Sequence, residues 1–191
     1  MRKATEFKMK AKSHSTNQAT LRKSAIFAKS SSLILGLVLG AYCELVVAGP
    51  TGGEVIDGNA DIGSNGSTTT INQYTQRVLL EWQTFNVAAD ENVVFNQPGS
   101  TAVALNRILD QNASEIFGAI DANGRVFLIN PNGIIFGETA TVNVGSLVAS
   151  SLDIDYDNFM AGDYDFEALA DGGAGLVVNR GLLQAATGGS I

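Results

Sequence analysis

Imidazole, thiol and amine chemistry are confined to one end of this sequence. The one His (His14), the one Cys (Cys43) and every Lys fall within residues 1–48. Beyond them the ionisable side chains are carboxylates, tyrosines and four arginines: Arg77, Arg107, Arg125 and Arg180. Ser and Cys nucleophiles need a His to move the proton. Zinc sites need Cys or His, and a phosphate-binding Walker loop needs its Lys. What remains is carboxylate chemistry or no chemistry.

Two carboxylate sets invite a functional reading. Asp153, Asp155 and Asp157 have the 1, 3, 5 spacing of an EF-hand calcium loop. The match then fails, because Asn158 replaces the turn Gly and Tyr164 stands where the bidentate Glu belongs. A solvated acidic loop is the better reading of 151–166. The second set is Asp110 and Asp121 with Arg107 and Arg125, which could be cast as a polysaccharide lyase or hydrolase. A sugar groove is usually lined with aromatics, whereas Trp82, Phe85, Phe95, Phe117, Phe127 and Phe136 read as core. Arg107 and Arg125 are then expected to pair locally or cap turns. The expectation is no enzyme, no metal and no cofactor.

Any such residues must be carried by a scaffold, and charge divides the chain in two. Residues 1–48 hold eight of the twelve Lys and Arg and only two acids, Glu6 and Glu44; the rest holds seventeen acids against four Arg. A basic segment ends at Lys29, an apolar stretch covers 33–42, and Val46-Val47-Ala48 precede Gly49. This is the pattern of a cleaved signal peptide with an extended basic region, cut between Ala48 and Gly49. The apolar stretch is short and Gly-broken for a span of about 20 residues. The acidic remainder, 49–191, is unsuited to nucleic acid, which attracts Lys and Arg.

The remainder is rich in turn formers, with 19 Gly and 14 Asn after residue 48. Short β-type runs alternate with them: 53–71, 77–82, 92–97, 101–108, 125–130, 134–137, 141–150 and 175–186. One weak helical segment is expected at 110–120, with Asn112 or Ser114 as its cap. Sandwich, barrel and solenoid all accommodate such runs. The solenoid is favoured because connections are short, the runs share a cadence, and Asn recurs at expected corners (Asn130, Asn132, Asn143, Asn179), where amides could stack in ladders. Leu128-Ile129 stops at Asn130-Pro131-Asn132-Gly133 and resumes at Ile134. Pro131 fixes φ, and Asn132-Gly133 can supply positive φ. A hairpin tip and a solenoid corner fit these residues equally.

The stretch from Ile71 to Ile154 resembles the N-terminal secretion domain of filamentous-haemagglutinin-type exoproteins, the passengers of two-partner secretion in Gram-negative bacteria. The branch containing the high-molecular-weight adhesins is the most similar. The matching pieces run in order: WQTFN at 82–86, FNQP at 95–98, LNRI at 105–108, SEIFGAIDANGRVFLINPNGIIFG at 114–137 and VNVGSLVASSLDI at 142–154. They contain Trp82, Phe85, Asn86, Asn106, Arg107, Gly124 and the box Asn130, Pro131, Asn132, Gly133, Ile134.

The resemblance implies an all-β fold, a right-handed parallel β-helix (single-stranded solenoid) with an N-terminal cap and strands lying outside the coil. It places the box at a corner. It further implies passage through the Sec translocon, recognition by the POTRA domains and barrel of a cognate outer-membrane transporter, and folding outside the cell that nucleates the rest of a surface or secreted adhesin. A host or neighbour-cell surface ligand would belong to that remainder. The run stops at GLLQAATGGSI inside an expected rung, so the coil is expected to be C-terminally incomplete. The competing reading is a stand-alone solenoid that binds or cuts surface polysaccharide, or a decayed gene fragment.

Overall fold

The structure is a computed structural model and describes residues 49–168 and 175–191. The expected signal peptide, with Ala48, lies outside the described residues.

The first described strands form a cap. β1 (Glu54–Asp57) and the hairpin of β2 (Ala60–Asn65) with β3 (Thr68–Gln73) come first. The hairpin turns at Gly66, whose φ is +60°, the conformation Gly adopts without steric cost. The chain then coils. β4 (Arg77–Trp82) leads to β5 (Asn92–Asn96). β6 (Val103–Ile108), β7 (Ser114–Ile116) and β8 (Ala119–Ala122) make the next rung. β9 (Arg125–Ile129), β10 (Ile134–Phe136) and β11 (Thr141–Val144) make the one after. β12 (Ser146–Ser150) opens a rung that is interrupted and completed by β15 (Val177–Asn179) and β16 (Leu182–Ala185). The interruption holds β13 (Asp153–Ile154), the helix α1 (Tyr156–Ala161) and β14 (Phe166–Glu167).

The coil has three sheets, ordered β1-β4-β6-β9-β12, β15-β10-β7 and β16-β11-β8-β5-β3-β2, and β13 pairs with β14 in a separate two-stranded one. Every pairing between rungs is parallel, whereas β1 on β4 and β2 on β3 are antiparallel. The architecture is the expected parallel β-solenoid with a cap and extra-helical strands. No rung could bury its apolar side alone; stacking makes the core continuous.

The interior joins residues of all three sheets, including Leu80 and Leu128, Ile116 and Phe136, and Phe95 and Ile120. Corners are tight enough to stack glycines. A Cβ on Gly145 would lie 2.5 Å from the carbonyl oxygen of Gly124, and one on Gly189 would lie 1.9 Å from that of Gly145. This is why Gly145 divides the run 141–150 into two strands.

The three central strands of the five-stranded sheet, β4, β6 and β9, are buried on both faces, so RVLLEW and RVFLI are nearly continuous apolar runs rather than alternating ones. Its outer residues Leu79, Leu105, Phe127 and Ile129 are covered by the excursion between β12 and β15. Phe127 meets Phe159, Tyr164 and Phe166 at ring distances of 6.1, 5.1 and 6.1 Å.

Four expectations are corrected. Segment 110–120 is not helical; β7 and β8 occupy it, because their ladders to neighbouring rungs outweigh weak local propensity. The stretch 151–166 is not a solvated loop: Ile154 and Phe159 are buried beneath it. Phe117 is not core but 39% exposed, lying over Gly137. Asn143 sits within β11, not at a corner, and the amide pair is Asn96 to Asn72 at 2.9 Å on the six-stranded sheet.

Candidate functional site

The box at 130–134 is a corner and not a hairpin tip. β9 before it and β10 after it belong to different sheets. The residue order suits a type I turn, with Asn first, Pro second and Gly fourth. The Gly133 amide donates to the Asn130 carbonyl at 2.9 Å, and Gly133 carries the positive φ, +108°. Asn130 is fully buried. Its Oδ1 accepts from the Asn132 amide at 2.9 Å, while its Nδ2 donates to the Asn112 carbonyl at 3.1 Å and to Ser114 Oγ at 3.0 Å. One side chain therefore closes its own turn and fastens it to the rung below.

The rung above presses on the same corner. Gly175 donates to the Pro131 carbonyl at 3.0 Å, and Ile134 donates to the Leu176 carbonyl at 3.0 Å. A Cβ on Gly175 would lie 2.1 Å from the Gly133 nitrogen. Ile134 is buried, and of the box only Asn132 is exposed, with its Nδ2 on the Asp110 carbonyl at 2.8 Å.

The other family-matching residues lie within two rungs. Trp82 and Phe85 are buried edge-to-face, with centroids 5.4 Å apart. Trp82 Nε1 donates to Asn106 Oδ1 at 3.0 Å. Asn106 is fully buried and spends its Nδ2 on the carbonyls of Ala104 and Phe127, at 3.3 and 3.2 Å. Asn86 Oδ1 receives the Glu115 amide at 2.8 Å. Gly124 has no room for a side chain: a Cβ would lie 2.6 Å from Gln97 Oε1 and 2.8 Å from the Ala102 carbonyl. Gly49 has a φ of +107° beside Glu91.

Arg107 does not pair locally. It contacts Asp153, at 2.5 Å, and Tyr156, both in the excursion, and lies 3.8 Å from Glu81 of the adjacent strand. Its guanidinium carbon stands 5.1 Å from the Tyr156 ring centre. Tyr156 also donates to Glu81. Burial, reinforced by the hydrogen bond to Glu81, pushes the Tyr156 pKa up to about 12, against the opposing pull of Arg107. Arg77 donates to Tyr164 and to the Met160 carbonyl, both at 3.2 Å, at the end of α1. These two arginines fasten the excursion to the sheet.

The carboxylates of the calcium reading have structural work. Asp153 engages Arg107, and Asp155 caps α1 by accepting from the Asn158 amide at 2.9 Å. Among the described residues, no group of three His, Cys, Asp or Glu could hold a metal. Asp110 lies in a corner bonded to Asn112, and Asp121 lies on β8 opposite Asn143. The structure does not join them to Arg107.

Sequence reasoning missed Gln73 and Gln97, both buried. Gln97 Nε2 donates to Gln73 Oε1 at 2.9 Å and to the carbonyls of Ala102 and Arg125, each at 3.2 Å. The available signal was spacing. Gln73 to Gln97 and Trp82 to Asn106 are each separated by 24 residues, the length of that turn of the coil.

Comparison with known proteins agrees with this geometry. The TPS secretion domain matches residues 47–191. The crystal structure of the HMW1 secretion domain from Haemophilus influenzae superposes with a TM-score of 0.68 at 36% identity, covering 71% of this chain and 36% of that one. A heme/hemopexin-binding protein of Haemophilus influenzae (strain ATCC 51907 / DSM 11121 / KW20 / Rd) is 37% identical over 125 residues, 65% of this chain and 14% of the relative. A second Haemophilus influenzae protein of that name is 38% identical over 97 residues, 51% of this chain and 10% of its own length. The chain thus spans a small part of these curated relatives. The capped parallel coil and the match over most of its length establish that this chain belongs to the TPS secretion domain family, whose exoproteins leave the cell through a partner transporter in the outer membrane.

Proposed function

We propose that the chain is the targeting end of a surface or secreted exoprotein, and that it works by folding only after export. A leader, 1–48, would pass it to the Sec translocon and be cut between Ala48 and Gly49. Residues 49–191 would then meet the POTRA domains of the cognate transporter as unfolded strands, by addition to a sheet edge. The export step is assigned to this chain. The heme/hemopexin binding named in the relatives is not, since the matched segment is a tenth to a seventh of them.

The polarity of the coil carries this reading. The cap strands β1 and β2 close one end with antiparallel partners. At the other end β15 and β16 have no further strand beside them among the described residues, and Val177 and Leu182 are about half exposed. Such an edge templates another strand or invites aggregation. The box 130–134 supports the same reading, since its buried Asn130 can form its side-chain contacts only when its own rung has stacked on the one below. The absence of Cys after Cys43 leaves no disulfide to lock the chain before it threads a pore.

The test is capture of the chain by the isolated POTRA domains. Urea-unfolded 49–191 diluted onto them is expected to bind, and the prefolded chain is not. Equal capture of both forms would refute recognition of an extended state, and edge-blocked POTRA domains that still bind would refute strand addition.

A further inference from the structure

Beside the first described residue lies a small cleft of about 130 Å³, lined by Gly49, Ser64, Thr69, Glu91 and Asn92 among others. Two acceptors there lack donors among the described residues. The Oδ1 of Asn92 is buried and has no hydrogen-bond partner among the described residues. The Glu91 carboxylate is held in place by one oxygen, Oε2, which accepts from the Ala88 amide at 2.7 Å. The backbone of Glu91 is fixed as well, its amide on Ala88 and its carbonyl receiving Ala119 from the next rung, each at 2.9 Å. The other carboxylate oxygen, Oε1, makes no hydrogen bond among the described residues. Chain neighbours aside, it is also the atom closest to where a Cβ on Gly49 would stand, at 3.4 Å.

We propose that removal of the leader completes this cleft: the new α-ammonium of Gly49 is received by Glu91 Oε1 and Asn92 Oδ1, pinning the chain start to β5 and to the β2–β3 hairpin. This rests on the leader being cut between Ala48 and Gly49. The chemistry suits the site. An ammonium offers three donors and a full charge, where the amide of an uncut chain offers one donor and no charge. The pairing is therefore absent from the precursor and present in the product. Processing would stabilise the cap at the stage when folding is required, and leave it weaker while the chain must remain exportable.

Intact-mass measurement of the exported chain comes first. A start at Gly49 is expected; any other start overturns the leader reading and this inference with it. The second step is separate from that outcome. Chain 49–191 with a free amine is compared with the same chain Nα-acetylated. The free amine is expected to raise Tm by about 3–12 °C near pH 7, the shift that one charge-assisted hydrogen bond makes in a chain of this size. Glu91 is the one titratable side chain lining the cleft among the described residues. Pairing with it holds the ammonium pKa above the usual value of about 8. The advantage is thus full below about pH 8 and lost as pH rises through the raised value. Glu91→Gln should abolish the difference between the two forms, even if it lowers both. An NMR titration of labelled Gly49 provides a readout independent of stability. An amine pKa at or below about 8, or a Tm difference unchanged at about pH 11, would overturn the proposal.

Discussion

Asn106 offers a sharp test of how the coil is held. It stands in β6 between Leu80 and Leu128 of the neighbouring rungs, with no exposed surface. Its Oδ1 is the acceptor for Trp82 Nε1, whose side chain is 1% exposed and has no access to water. Asn106→Leu keeps the volume and removes that acceptor. A buried N–H without a partner costs about 1–3 kcal/mol. Asn106→Ala adds a cavity, and the loss should rise to about 2–4 kcal/mol. Trp82→Phe removes the donor instead, so the double variant Trp82→Phe/Asn106→Leu leaves no indole N–H unpaired, while the Ala104 and Phe127 carbonyls lose Asn106 Nδ2 equally in the single and double variants. The two changes should couple by about 1–2 kcal/mol. The assay is urea unfolding of 49–191 by circular dichroism, with fluorescence in the variants that keep Trp82, the chain's single Trp. A coupling energy within about 0.3 kcal/mol of zero would mean that the side chains act independently and the bond does not stabilise the fold.

Further outcomes follow from the corners and the excursion. Gly124→Ala pushes a Cβ against Gln97 Oε1 and the Ala102 carbonyl and should cost about 1–3 kcal/mol; Gly63→Ala, with nothing within 4 Å, should change stability by under about 0.5 kcal/mol, and equal losses would show that stacking space is not the cause. Asn130→Ala leaves a turn amide and two acceptors of another rung unpaired and should cost about 2–4 kcal/mol in thermal unfolding. Asn132→Gly should preserve both folding and export, because Gly tolerates this corner; folding kept with export lost would mean that the transporter reads the amide. The Tyr156 pKa is raised above its usual 10 to about 12, so its contribution is complete below pH about 10 and is lost as pH rises through about 12. Absorbance at alkaline pH should show the excursion loosening in that window, and Tyr156→Phe should remove the dependence.

Much of the scaffold was legible because its signals are local. Val- and Ile-rich runs name strands, and Asn-Pro-Asn-Gly names a sharp turn whichever way the chain leaves it. The excursion was misread for the opposite reason. Its acids suggest solvent, but Phe159, Tyr164 and Phe166 find their partners in Leu105 and Phe127, far away in sequence. Arg107 likewise meets Asp153 and Tyr156 more than forty residues on, where local pairing rules do not reach. The failed helix at 110–120 has the same origin, since Ser114 and Ile116 are held by β10 rather than by their own neighbours.

By itself the sequence determined the chemistry open to this protein and the kind of element it builds. Without His, Cys or Lys beyond residue 48, no arrangement in space can restore those functional groups, and Gly and Asn set where the chain can turn through their backbone freedom. Only the tertiary structure decided that Asn130-Pro131-Asn132-Gly133 joins two sheets rather than two hairpin strands. It alone made Asn106 and Gln97 interior residues and turned an acidic stretch into a lid over β6 and β9. Hydrogen-bond partners and burial in a coil come from the rungs above and below, and the sequence stores those rungs a full turn apart.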